Sequence, residues 1–197
     1  MSTSKPEFAT NRSDEIVADA LRGHLSYLLE TWAKAFEVVI ATAYFNPGGF
    51  GLIANELERV GEVRLLLGAE PDSREWRIRN LDPKTPPQRA ERARLRNALV
   101  GHEREIEQDR DLLGFEIEAD AGAKRLIDWL RSGRVEVRRY EEGFLHGKAF
   151  LVTTDDEGVV AGSSNFTHAG LAKNLELNLG HYQPHVVKQV REWYEEL

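Results

Sequence analysis

Apolar residues recur from the N-terminal side of the chain at Val17, Leu21, Leu25, Leu28, Trp32 and Phe36. Spacings of three and four place them on one face of a helix. Ser13 is a plausible N-cap, with Asp14 and Glu15 in the first turn. The run predicts an amphipathic helix of about six turns. Glu37 to Phe45 changes character: Val38, Val39, Ile40 and Ala41 in succession predict a strand buried on both faces. Asn46-Pro-Gly-Gly49 breaks it, helical spacing resumes from Phe50 to Val60, and Val63 to Gly68 predicts a second buried strand. Helix, strand, helix, strand implies a parallel pair joined by a crossover.

Residues 69–115 form a charged insertion. Pro71, Pro83, Pro86 and Pro87 punctuate a loop holding Arg74, Trp76, Arg77 and Arg79, a basic-aromatic set suited to single-strand stacking. Gln88 to Leu113 then carries Leu95, Leu99, Ile106 and Leu113, which reads as a surface helix or as a helical contact with a partner chain. Gly101 weakens either helix. Ala121 to Leu130 predicts a helix with Leu126, Trp129 and Leu130 inward. Beyond Gly133, strands are expected over Val135–Tyr140, Phe144–Thr153 and Val159–Ala161, the last two joined by a hairpin turn at Asp155–Gly158. Leu175 to Tyr182 alternates as a half-buried strand does, and Val186 to Leu197 closes the chain as a helix carrying Val187, Val190 and Trp193. That helix has no terminator, which fits either a piece of something longer or a frayed end. The pattern amounts to one α/β domain over residues 1–197, with residues 1–12 loose.

Composition narrows the function classes. Hydrophobic residues at 41% suffice for a core, while the net charge of −7, from 26 basic and 33 acidic residues, excludes a wholesale basic coat for nucleic acid. A local basic cleft stays open, and Arg138, Arg139 and Tyr140 could line one or form a solvated edge. With no cysteine, disulfides, thiolate nucleophiles and cysteine zinc sites are excluded, and a reducing, cytoplasmic setting is expected. The N-terminus shows no signal-peptide pattern and no apolar stretch is long enough to span a membrane.

The chemistry concentrates in Leu145-His-Gly-Lys-Ala-Phe-Leu-Val152 and Val159-Val-Ala-Gly-Ser-Ser-Asn-Phe-Thr167. On a strand, His146 and Lys148 project from one face, and the hairpin returns Gly162 to Asn165 toward them. Imidazole, ammonium, hydroxyl and carboxamide then meet at one strand end. Lys148 and Asn165 suit the non-bridging oxygens of a phosphodiester, and a neutral imidazole is a competent nucleophile at phosphorus. This chemistry needs neither metal nor other cofactor. Ser163 and Asn165 could instead be turn formers, and Ser164 and Thr167 helix-cap groups. His168, His181 and His185 match no zinc spacing and read as surface histidines.

His146-x-Lys148 followed by Gly162-Ser163-x-Asn165 resembles the motif of the phospholipase D superfamily, and Asn174-Leu-Glu176 is similar to the Asn-x-Glu of its single-motif nucleases. The resemblance implies a phospholipase-D-like mixed β-sheet flanked by helices. It implies a metal-independent phosphodiesterase acting on DNA or RNA through a phosphohistidine. His146, Lys148, Asn165 and Glu176 would be catalytic, with Glu176 supporting the histidine, while Ser163, Ser164 and Thr167 would bind substrate. The family's mechanism uses two histidines, so one motif per chain implies a homodimer. The overall pattern also resembles domains found ahead of helicase cores, implying a helicase module as a further partner. One position departs: the family's aspartate is replaced by Thr153, with Asp155 either a shifted equivalent or a turn residue. That departure keeps a non-catalytic nucleic-acid-binding module in play. A lipid phosphodiesterase is the least favoured reading, because no amphipathic basic helix offers a membrane-docking device.

Overall fold

A computed structural model describes residues 5–12, 16–31, 36–68, 117–142, 145–154 and 157–197. The insertion expected over residues 69–115, with Arg74, Trp76, Arg77 and Arg79, lies outside the described residues. So do Ser13, Asp14, Glu15, Trp32 and the turn residues Asp155 and Asp156.

Among the described residues, seven strands form one mixed sheet in the order β1-β7-β6-β5-β2-β3-β4. They are β1 Phe8–Ala9, β2 Glu37–Thr42, β3 Glu62–Gly68, β4 Val135–Tyr140, β5 Ala149–Thr153, β6 Gly158–Gly162 and β7 Asn178–His181. Strands β2, β3 and β4 are parallel, and every other pairing is antiparallel. Among the described residues the helices are α1 Val17–Thr31, α2 Pro47–Leu57, α3 Ile117–Leu130, α4 His168–Ala172 and α5 Pro184–Glu195. The α/β fold with its mixed, helix-flanked sheet therefore stands as expected.

Strand alternation divides the core in two. Val38 and Ile40 of β2 face a cluster built with Leu21, Leu25 and Leu28 of α1, Phe50 and Ile53 of α2 and Trp129 of α3. Val39 and Ala41 face the other way, onto Val187 and Tyr194 of α5. A strand buried on both sides must be apolar at every position, which is why Val38 to Ala41 has no polar break.

Several element boundaries differ from expectation. Helix α1 has 15 residues and ends at Thr31, so it is shorter than the apolar stripe. Phe36 is buried, yet it sits at the entry to β2, because the β-branched run that follows needs an extended chain. The α1 N-terminus is capped from further back, the Val17 N–H donating to Asn11 Oδ1 at 2.8 Å. Helix α2 starts at Pro47 rather than Phe50. Asn46 caps it by accepting the Gly49 N–H at 2.8 Å, and proline at the first helical position gives up no needed donor.

Strand β5 begins only at Ala149, so Leu145 to Lys148 precede the regular strand. The largest reversal concerns β7. Leu175, Leu177 and Leu179 are 78%, 55% and 42% exposed, whereas Asn178 is 2% exposed. Leu179 pairs with Ala161, so it stands on the α5 side of the sheet, beyond the ground that helix covers. Asn178 stands on the opposite side, under the loop that leaves β6.

Candidate functional site

Lys148 lies at the entrance to β5 and is only 5% exposed. Its carbonyl accepts the Gly162 N–H at 3.1 Å, which fixes it against the end of β6. Burial lowers its ammonium pKa to about 8, and the neighbouring charge of Glu176 opposes that shift. His146, two residues earlier, is exposed. The expected shared strand face is therefore replaced by an irregular segment in which the lysine turns inward and the imidazole stays at the surface. Gly147 separates them. A Cβ there would lie 2.6 Å from the Trp193 ring, so α5 packs directly on this backbone.

The loop after β6 supplies the next groups. A Cβ on Gly162 would stand 2.1 Å from the Leu177 carbonyl, so the two strand ends press together as only glycine permits. Ser163 uses both backbone and side chain. Its N–H donates to the Leu177 carbonyl at 3.1 Å, and its hydroxyl donates to the Glu176 carboxylate while accepting the Leu177 N–H at 3.0 Å. Lys148, Ser163 and Glu176 thus form one polar cluster, and exposed His146 precedes Lys148 by two residues.

Ser164 points elsewhere. It is fully buried, and its hydroxyl accepts from Asn178 Nδ2 at 2.8 Å. Asn178 Oδ1 accepts the Ser164 N–H at 3.4 Å, and Nδ2 also reaches the Ala9 carbonyl at 3.3 Å. Asn178 is a buried tie that sequence reasoning missed, since an asparagine in a polar–apolar alternation looks like a solvent-facing position. Asn165 is half-buried, and its Oδ1 is buried with no hydrogen-bonding partner among the described residues. Its backbone is held by Gly170, where a Cβ would lie 2.5 Å from the Asn165 carbonyl oxygen.

Thr167 is the N-cap of α4. It is buried, and its hydroxyl accepts the Gly170 N–H at 3.1 Å. The loop is pinned from beneath by Thr42 Oγ1, which accepts the Phe166 N–H at 2.9 Å, and by Asn46 Oδ1, which accepts the His168 N–H at 3.1 Å. Burial and then the Lys173 charge hold the His168 pKa below its usual value. His181 and His185 are exposed. Among the described residues, no group of three or more metal-ligating side chains is close enough to hold an ion.

Arg138 does not line an open cleft: its guanidinium stacks 4.8 Å from the Tyr194 ring centroid, under α5. Arg139 is exposed, and Tyr140 packs beside Leu145 and Trp193 in the α5-side cluster. Thr153, at the family's aspartate position, accepts a hydrogen bond from Arg191 at 3.0 Å, and the same guanidinium reaches Glu157 at 2.6 Å.

Residues 33–197 match the family described as "Cardiolipin synthase, PLD-like domain". Cardiolipin synthase B of Salmonella typhi is 29% identical over 170 residues, covering 85% of this chain and 30% of that protein. Cardiolipin synthase B of Escherichia coli K12 is 27% identical over 183 residues, covering 92% of this chain and 33% of its own length. The chain thus spans about a third of the curated relatives it matches. Among solved structures, Nuc from Salmonella typhimurium, a phospholipase D family member, superposes with a TM-score of 0.51 at 13% identity. That match covers 96% of this chain and 91% of Nuc. Polyphosphate kinase from Porphyromonas gingivalis also reaches 0.51 at 11% identity, covering 98% of this chain and 22% of the kinase. The fold is shared, the family match runs through every candidate site residue, and the chain belongs to the PLD-like domain family of the phospholipase D superfamily.

Proposed function

We propose that the chain is a metal-independent phosphodiesterase acting on DNA or RNA, with His146 as nucleophile. The supporting observation is the cluster itself: a buried lysine beside a serine–glutamate pair, two residues after an exposed histidine. The His146 imidazole forms a bond to phosphorus, and the phosphorus–oxygen bond to the leaving group breaks. A second imidazole gives that oxygen its proton. Water then attacks the phosphohistidine, loses a proton to the second imidazole, and releases His146. Lys148 meets the non-bridging oxygens as a point charge, strengthened by its low-dielectric surroundings. Asn165 is assigned to donate its Nδ2 hydrogens to the same phosphate, since an amide NH2 has two donors. Glu176 holds Ser163 in place and offsets the burial of the Lys148 charge. The second imidazole comes from His146 of another copy.

A second reading has its own support. The matching family and the curated relatives carry cardiolipin synthase names, which favours a phospholipid phosphodiester as substrate. The cluster recognises the phosphodiester common to both. Nucleic acid is placed first because the match to Nuc is nearly end to end, and because Asn174-Leu-Glu176 resembles the single-motif nucleases.

The test is turnover of labelled single- and double-stranded DNA and RNA, and of phosphatidylglycerol vesicles, in EDTA beside a His146→Ala control. Nucleic-acid cleavage that survives chelation and vanishes in the control supports the proposal. Turnover of lipid alone favours the second reading. Nucleic-acid binding by both proteins without cleavage assigns the chain to a non-catalytic module.

A further inference from the structure

Residues 5–11 run along the edge of β7 away from β6 and then reach α4, held by hydrogen bonds along the way. The Tyr182 hydroxyl donates to the Pro6 carbonyl at 2.8 Å, and the Gly180 N–H donates to the Glu7 carbonyl at 2.9 Å. Phe8 and Ala9 pair with Leu179 and Asn178 as β1. Asn11 ends the run with three hydrogen bonds. Its Nδ2 donates to the Gly170 carbonyl at 3.0 Å and to the Asn174 carbonyl at 2.8 Å, while its Oδ1 accepts the Val17 N–H at 2.8 Å. Two of these neighbours are carbonyls and the third is an N–H, so one orientation of the amide satisfies all three. A helix leaves its last carbonyls without internal partners, and Asn11 supplies one to α4 while it caps α1.

These contacts converge on the proposed site. The Ala9 carbonyl accepts from Asn178, whose side chain holds Ser164. Gly170 backs Asn165 so closely that a Cβ on it would lie 2.9 Å from the Asn165 nitrogen. Asn174 opens the Asn174-Leu-Glu176 segment, and the Glu176 carboxylate receives the Ser163 hydroxyl. We infer that residues 5–11 are a clasp that sets Asn165 and Glu176 for the reaction, with Asn11 as its positioning residue. Asn11 acts through Gly170 and Asn174, not on the phosphate itself. The inference rests on the phosphodiesterase reading for its effect on turnover, though not for its effect on the loop. The family match begins at residue 33, so the clasp lies ahead of it.

A plain helix cap would account for the Val17 bond alone. The two donated bonds leave α1 and end on carbonyls 159 and 163 residues further along the chain. Asn11→Asp separates the two roles. It keeps an oxygen for the Val17 N–H, with a charge suited to a helix N-terminus, but turns an oxygen toward the two carbonyls where both donors were. Helix α1 should then hold while Asn174 to Glu176 loosen. Gly180→Ala attacks the clasp from its other end. A Cβ there would lie 1.8 Å from the Pro6 carbonyl oxygen, so the chain at Pro6 must move off β7. Arg125→Met serves as the control for stability lost elsewhere. It removes guanidinium bonds to Glu58 at 2.7 and 2.8 Å and to Asn55 at 2.7 Å, which tie α3 to the end of α2 remote from Asn46.

Amide hydrogen exchange, read by mass spectrometry, is compared between wild type and the three variants, each checked for folding by circular dichroism. Turnover of bis-(p-nitrophenyl) phosphate in EDTA is measured on the same proteins. The clasp predicts that exchange over residues 163–178 quickens by about tenfold or more in Asn11→Asp and in Gly180→Ala, with α1 unchanged in Asn11→Asp. Arg125→Met should leave that segment as it is. The value of kcat/KM should fall about tenfold in Asn11→Asp, but less than about threefold when the change is made on Glu176→Gln, because the clasp works largely through that carboxylate. Gly180→Ala carries both readouts if Asn11→Asp does not fold. Unchanged exchange over 163–178 in the clasp variants overturns the inference, as does equal quickening in Arg125→Met. Quickened exchange with full turnover also overturns it, since the groups would then need no setting. So does a loss from Asn11→Asp that is the same with and without the Glu176 carboxylate. A wild type that turns over no phosphodiester removes the enzymatic reading, while exchange, which needs no substrate, still decides whether the clasp holds the loop.

Discussion

The Ser163 hydroxyl donates to the Glu176 carboxylate, 13 residues further along the chain, and the same oxygen accepts the Leu177 N–H. This closes the loop after β6 onto the segment before β7 and sets an anion near buried Lys148. Glu176→Gln keeps the shape and the acceptor but removes the charge. We expect kcat/KM to fall by about 10–100-fold, as for other groups that orient a reacting centre. Ser163→Ala removes both hydrogen bonds of the hydroxyl, but at an exposed position, and should cost about 1 kcal/mol in all, roughly fivefold. Steady-state kinetics on the same phosphodiester checks the order, and a larger loss from Ser163→Ala would reverse the assignment.

Lys148 couples activity to pH. Its pKa in the folded protein is about 8, against 10.5 for a free lysine. A lysine with a lowered folded pKa destabilises the fold while charged. The penalty is therefore full below about 8 and is relieved as pH rises toward 10.5, amounting to about 3 kcal/mol. Activity runs the other way, since phosphate needs the cation, so kcat/KM should fall on a basic limb near pH 8. Lys148→Met removes the buried charge. Its urea midpoint at pH 7 should rise by the equivalent of about 1–2 kcal/mol while turnover disappears. A destabilised Lys148→Met chain would contradict the buried-cation account.

The fold was legible where one physical rule acted alone. Val38 to Ala41 could only be a two-sided strand, and Leu21, Leu25 and Leu28 could only be one face of a helix. The candidate motif was read from few residue types at fixed spacing, His146, Lys148, Ser163 and Asn165, and the family match runs through all four. What failed depended on neighbours distant in sequence. Alternation marked Leu175 to Tyr182 as a strand, but its facing was set by where α5 stops, so the leucines were assigned to the wrong side. Asn178 was illegible for the same reason: its partners, Ser164 and Ala9, are brought to it by β6 and β1. Phe36 followed the helical spacing of α1, yet the strand's need for extension ended the helix first.

Thr153 occupies a position where the family carries aspartate, and the geometry shows how the hydroxyl is accommodated. Arg191 donates to Thr153 at 3.0 Å and to Glu157 at 2.6 Å, so Glu157 supplies the anion. Thr153 is in register with Glu37 of β2, at the end of β5 remote from Lys148. Thr153→Asp would gain a charged partner in Arg191 and meet repulsion from Glu157 and Glu37. Turnover should stay within about twofold and stability within about 1 kcal/mol. Arg191→Met should cost about 1–2 kcal/mol by thermal melting, because two acceptors lose their donor. A tenfold activity change in Thr153→Asp at unchanged stability would bring this position into the chemistry.

Asn178 is where stability and activity should move together. Its amide donates to Ser164 Oγ and the Ala9 carbonyl and accepts the Ser164 N–H, all at 2% exposure. Asn178→Ala leaves these groups buried and unpaired, at a cost of about 2–4 kcal/mol. The Gly162–Asn165 loop then loses its anchor beneath the Ser163–Glu176 contact, so kcat should fall more than tenfold at temperatures where the variant is still folded. Asn178→Asp is the sharper probe. It retains the acceptor for the Ser164 N–H but sets a carboxylate oxygen against the Ala9 carbonyl, so it should be less stable than the alanine variant at pH 7 and recover partly as pH falls and the acid protonates. Thermal melting of both variants from pH 5 to 8 reads this directly. An aspartate variant that is stable at pH 7 and insensitive to pH would show that Asn178 does not hold the loop to β1.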